Sequence, residues 1–148
     1  MKKAFALFEL MIVVAILGIL AAIVLPMFQV NVTEAKEAAA KDNLRILRNT
    51  IEFYAAQHGG IPPGYPGNNP NFSPAPVVFR AHLTVGGYLR KIPTNPFNNL
   101  NTVNVLSNST NLPAQPTGKY GWIYKPSSKT IKLDWPGTDS KGTPYYDY

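Results

Sequence analysis

The sequence of 148 residues contains no cysteine, so neither a disulfide framework nor a thiolate metal site is open to it. Charge is also scarce. Only 15% of residues are Asp, Glu, Lys or Arg, and eight acids stand against fourteen bases. The formal charge of +6 includes Lys2 and Lys3, and a chain without those two carries about +4, too weak a balance to imply nucleic acid. Glycine-rich phosphate loops and nucleophile elbows are missing as well. The two histidines, His58 and His82, stand in no ligand cluster and read as a helix-end cation and a packed side chain. These absences predict a protein that is not an enzyme. The 11 glycines and 14 prolines exclude a simple coiled coil, and the length suits one domain of modest core.

What the chain does have is hydrocarbon at its start. After Lys2 and Lys3, the run from Ala4 to Val30 holds a single ionisable group, Glu9. Leu10 to Phe28 alone, at ~1.5 Å per residue, crosses most of a ~30 Å hydrocarbon core, so the segment reads as a membrane helix with its lysines held in the cytoplasm. A cleaved secretory signal would have a shorter apolar core and a better small-residue site than Ala21-Ala22. An acid in such a helix costs roughly 2.5–3.5 kcal/mol. Glu9 therefore either reaches headgroup water near the helix end or is matched by a positive group on another copy, such as a new N-terminal amine made by cutting before Phe5.

The helical pattern continues past the membrane. From Asn31 to His58 there is no Pro or Gly, and Leu44, Leu47, Ile51 and Tyr54 recur at spacings of three and four, which puts them on one face. Glu37 and Lys41 form an i,i+4 acid-to-base pair expected on a solvated face. Gly59-Gly60 and Pro62-Pro63 end the pattern. A helix from about Phe5 to His58 is on the order of 80 Å long at ~1.5 Å per residue, so its outer half is expected to pack on a head domain. Pro26 removes one of its backbone bonds.

Residues 59–76 (GGIPPGYPGNNPNFSPAP) are turn chemistry and predict an exposed loop. A short helix is expected around Val77 to Leu83, ended by Gly86-Gly87. Residues 98–118 are rich in Asn, Ser and Thr and read as a variable surface loop. KYGWIYK and KTIKLDW, separated by Pro126-Ser127-Ser128, predict a hairpin with Tyr120, Trp122 and Tyr124 on one face and Ile131 and Leu133 paired across from it. Asn31, Asn71 and Asn108 each open an Asn-x-Ser/Thr triplet, which chance readily produces in an Asn-rich chain. Tyr145, Tyr146 and Tyr148 read as exposed aromatics able to stack on nucleic-acid bases or, more simply, on neighbouring subunits.

The stretch FALFELMIVVAILGILAAIVLP resembles the N-terminal signature of type IV pilins and of the pseudopilins of type II secretion. Phe5, Glu9, Gly18 and Pro26 fall where that motif has its first mature residue, its acid, its helix glycine and its kinking proline. The resemblance implies removal of residues 1–4 by a prepilin peptidase between Ala4 and Phe5, with methylation of Phe5; the family's usual Gly before the cut is Ala4 here. GYLRKIPTNPF further resembles a segment of the major pseudopilin. The implied fold is α+β: a long N-terminal helix packed on a small antiparallel sheet with long loops. The implied organisation is a leader at 1–4, a membrane and filament-core helix at 5–30, an amphipathic helix at 31–58 and a globular head at 59–148.

The implied function is a structural subunit of a type IV pilus-like filament, or alternatively the major pseudopilin of a type II secretion system driving protein export. Its expected partners are further copies in a helical filament, prepilin peptidase and inner-membrane assembly machinery. Its expected location is the inner membrane as precursor, then the cell surface or a periplasm-spanning pseudopilus. In the family, Gly18 to Pro26 loses helical structure on assembly; by residue chemistry alone Pro26 makes a kink. Family members often pin the C-terminal loop with a disulfide, and pseudopilins use calcium there. Asp134, Asp139 and Asp147 are the candidate ligands, although Ca²⁺ takes six to eight oxygens and acids of solvated turns are the simpler reading.

Overall fold

The computed structural model describes residues 2–148; the side chains of residues 2–6 and of Pro26, which include Ala4 and Phe5, lie outside that description. Helix α1 spans Lys2–Gln57, close to the expected limits. The chain divides into two compact units, the first reaching Ala35 and the second Lys36–Tyr148. Within the first, every described side chain from Leu7 to Ala35 is exposed.

In the second unit, α1 presents the face that the apolar spacing selects. Leu44, Leu47, Ile51 and Tyr54 are 3% exposed or less, joined by Ala40 and Ala55. Fully burying a side chain such as Leu47 contributes ~1.5–3 kcal/mol, so packing of this face outweighs the helix propensity of the Ala-rich sequence. The helix ends where Gly59 and Gly60 adopt φ of 64° and 86° and the Gly60 amide bonds back to the Ala55 carbonyl at 2.8 Å. Helix α2, Pro76–Thr84, begins with proline in its first turn and buries Phe79 and Leu83.

The sheet has three strands in the order β1 (Val103–Val105), β2 (Trp122–Lys125), β3 (Thr130–Leu133). β2 and β3 form the expected antiparallel hairpin, with Trp122 opposite Leu133 and Tyr124 opposite Ile131. Its turn is a one-turn 3₁₀ helix, Pro126–Ser128, closed by Lys129 at φ 53°. The sheet is mixed rather than wholly antiparallel, because β1 pairs with β2 in parallel. β1 arises inside the segment expected to be a surface loop; three residues, VNV, are too short to show a period. Tyr120 lies before β2 and is 36% exposed, so it does not share the buried face of Trp122 and Tyr124.

Both faces of β2 are covered. Trp122 and Tyr124 enter the main core with α1 and α2, while Ile123 enters a second small cluster with Leu106 and Tyr146. Gly121 is required by close approach: a Cβ there would sit 2.3 Å from the Leu100 carbonyl oxygen. The Tyr124 hydroxyl is buried with no hydrogen-bond partner among the described residues, and burial pushes its pKa up.

Candidate assembly surface and anchors of the head

In the first unit, the described side chains of α1 form an exposed, largely apolar cylinder. Leu7, Met11 and Phe28 are each about two-thirds exposed, and Glu9 stands exposed among them. The helix is long and apolar enough to cross a membrane by length and composition. A Cβ on Gly18 would meet nothing within 4 Å, so nothing among the described residues explains a glycine there. The Phe5 side chain lies outside the described residues, and with it the geometry of any Phe5–Glu9 pairing.

In the second unit, buried polar groups fasten the loops to the helix and the sheet. The Asp134 carboxylate, fully buried, accepts from the Thr117, Gly118 and Tyr120 amides and from the Thr117 hydroxyl at 2.7 Å, pinning residues 117–120 to the end of β3. The Asp139 carboxylate, 7% exposed, accepts from the Lys141 and Thr143 amides at 2.9 Å, the Tyr148 hydroxyl at 3.0 Å and the Lys41 ammonium at 3.4 Å. Burial raises its pKa, but the Thr143 and Lys141 amides, the Tyr148 hydroxyl and Lys41 outweigh it and bring the carboxyl down to about 2. The Asp147 carboxylate accepts from Lys132 at 3.0 Å.

These three acids therefore serve three different clusters, and among the described residues no group of three or more His, Cys, Asp or Glu stands close enough to hold a metal ion. The donors already aimed at Asp134 and Asp139 are hydrogen-bond donors, the wrong chemistry for a shared calcium shell. The solvated-turn reading is corrected too: Asp134 and Asp139 are buried.

The helix pair Glu37–Lys41 does not form. Lys41 turns to Asp139 and lies 4.1 Å from the centre of the Tyr148 ring, while Glu37, 7% exposed, accepts from the Tyr145 hydroxyl at 3.1 Å. Arg48 donates to the carbonyls of Ile131 and Tyr148. Tyr145 and Tyr146, expected on the surface, are 7% and 6% exposed, because the former caps the α1 face and the latter donates to the Pro113 carbonyl. They offer no stacking face to nucleic acid. The closing segment is thus fastened by tyrosines, acids and bases where a cystine is impossible.

Asn95 escaped the sequence reading. It is fully buried, donates to the Gly121 carbonyl and accepts from the Phe97 amide, so it ties the IPTNPF turn to β2. Its Asn-Pro dipeptide signals a turn but gives no sign of burial. Asn108 of the third triplet has its side chain engaged with Tyr65 and the Pro70 carbonyl.

A membrane-length apolar helix continuing into an α+β head defines the class, an anchored subunit with a folded head. Residues 1–25 match the family described as the prokaryotic N-terminal methylation motif. The chain is 31% identical over 103 residues to the type II secretion system core protein G of Aeromonas hydrophila, covering 66% of this chain and 69% of that protein. Core protein G of Escherichia coli K12 is 27% identical over 100 residues, covering 66% and 68% of the two chains. The fimbrial protein EcpB of Eikenella corrodens is 46% identical over 61 residues, 41% of this chain and 38% of that one. No solved structure matches. The chain belongs to the type IV pilin and type II secretion pseudopilin family.

Proposed function

We propose that this chain is the major pseudopilin of a type II secretion system, polymerising through its apolar helix into a short filament that drives protein export. The observation that carries the choice over a surface pilus is the reach of the similarity. An alignment of 103 residues to core protein G is longer than the 56 residues of α1 and so reaches into the head, whereas the 61-residue match to a fimbrial protein is little longer than that helix.

The physical logic of assembly centres on Glu9. Lipid tails are as apolar as Leu, so exchanging lipid for sibling helices brings packing but little hydrophobic gain. An unpaired acid in the apolar span costs roughly 2.5–3.5 kcal/mol, and a cation that meets it offsets much of that cost. Cutting between Ala4 and Phe5 creates such a cation, the Phe5 amine, at the helix end. Each Glu9 then accepts the amine of an adjacent copy, which fixes the register; Gly18 admits a close neighbour and Pro26 supplies a point where the helix yields. The subunit needs no catalytic group, and its acids fasten loops without calcium. Before assembly it sits in the inner membrane, processed by prepilin peptidase.

Deletion of the gene in its own bacterium tests the reading: loss of protein export with surface fibres intact supports it. Loss of long surface fibres with export unchanged returns the pilus alternative.

A further inference from the structure

We propose that His82 is an acid-sensitive latch for the surface segment 59–75, holding the Gly64 amide while its imidazole is neutral and releasing it when the ring takes a proton. The inference concerns the head alone and holds whichever filament the chain enters.

Segment 59–75 has the composition of a mobile loop but is tied down at several points, Tyr65 and the Pro70 carbonyl by Asn108 among them. Gly64 is buried at φ 116°, a conformation that favours glycine. Its carbonyl accepts from the Ala75 amide at 3.0 Å, and its amide donates to Nδ1 of His82 at 3.3 Å. One histidine nitrogen thus joins the Gly64 turn to α2. Farther along, Tyr54 donates to Asn68 at 2.6 Å. Tyr65 is buried and bonded to Asn108, while the stretch beyond Asn69 reaches solvent, with Phe72 57% exposed.

An Nδ1 that accepts must carry its ring proton on Nε2. A second proton, taken from solvent, goes onto that same Nδ1 lone pair. The bond to Gly64 is then lost, and two N–H groups face each other. The groups around the ring do not favour its charging. From α1, the Tyr54 ring stacks on His82 at 5.0 Å and 13°, and the His58 ring also stacks on Tyr54, at 3.9 Å and 12°. Tyr88, after α2, stands 5.2 Å from Tyr54. The segment itself contributes the Gly64 amide, and the charged residue of α2, Arg80, is exposed and two positions along the helix, so it does not face the ring. None of the four ion pairs among the described residues includes a histidine. Burial, and then the nearby His58, hold the His82 pKa below its ordinary 6.5. The native state therefore binds this proton less readily than the unfolded chain, and the latch weakens as pH falls below that value.

The test uses the full chain in detergent micelles, with amide and imidazole resonances followed by NMR from about pH 7.5 to 5, the range in which histidine titrates. The Gly64 amide shift is expected to follow the His82 ring with one midpoint. Its exchange protection, taken relative to the Leu106 amide bonded to Tyr124 in the sheet, is expected to fall about tenfold, as for the loss of one hydrogen bond. His82→Gln, whose amide oxygen accepts without titrating, should remove the response. A Gly64 amide indifferent to His82 protonation overturns the proposal, as does a response that survives in H82Q. The wild-type titration decides the matter even where the variant folds poorly.

Discussion

Replacing Asp134 should show that the head is held by hydrogen bonds to a buried carboxylate. Its two oxygens accept from the Thr117, Gly118 and Tyr120 amides and the Thr117 hydroxyl. A hydrogen bond to a charged group contributes ~1.5–3 kcal/mol, but the four share one side chain, so their values do not add. Removal of the whole carboxylate in Asp134→Ala is expected to cost about 3–5 kcal/mol, the range for a broken buried network. Asp134→Asn keeps the shape yet turns an NH₂ toward donors, so an isosteric change should still cost about 2–3 kcal/mol. At roughly 4–8 °C per kcal/mol for a domain of this order, the alanine variant should melt at least ~12 °C lower. Thermal unfolding of the full chain in detergent, followed by near-ultraviolet circular dichroism with calcium and then with a chelator, checks this. The reasoning is refuted if D134N melts with the wild type, or if chelation alone lowers the wild-type melt as far as D134A does.

Three further outcomes follow from the same geometry. Tyr124→Phe removes a buried hydroxyl that has no partner among the described residues, and should leave stability unchanged or raise it by up to ~2 kcal/mol; a clear loss in denaturant titration would reveal a hidden partner. Asp139, lowered from 3.8 to about 2 in the folded chain, contributes stability that is present above pH 3.8 and lost as pH falls through about 2. Acid melting curves should therefore separate wild type from Asp139→Asn above that window and converge below it. Tyr145→Phe leaves the buried Glu37 without the tyrosine proton and should cost about 1–3 kcal/mol, measured against a Glu37→Gln background in which the loss is smaller.

The α1 face was legible because its apolar residues repeat over several turns and only two glycines can end it as they do. The hairpin was legible from two aromatic and β-branched runs joined by Pro-Ser-Ser. β1 was not, since three residues carry no period and its place depends on Thr102 and Leu106 meeting β2 across intervening chain. The closing tyrosines were misread for a related reason. Glu37, Lys41 and Arg48 lie about a hundred residues upstream, and no local pattern announces that they converge on Tyr145, Asp139 and Tyr148. Glu9 is the opposite case. One acid in an uninterrupted apolar run is visible in the sequence, while the neighbour proposed to answer it belongs to another copy.

The pairing of Glu9 with a neighbouring Phe5 amine is the claim on which the assembly account rests. Its most direct measurement is the yield of polymer sheared from cells overproducing wild type or Glu9→Ala, alongside membrane fractionation of the unassembled chain. The account predicts equal insertion for the two and polymer only for the wild type, whose subunits begin at Phe5 by mass spectrometry. Normal filaments from E9A, or wild-type filaments built from subunits that still begin at Met1, would contradict it.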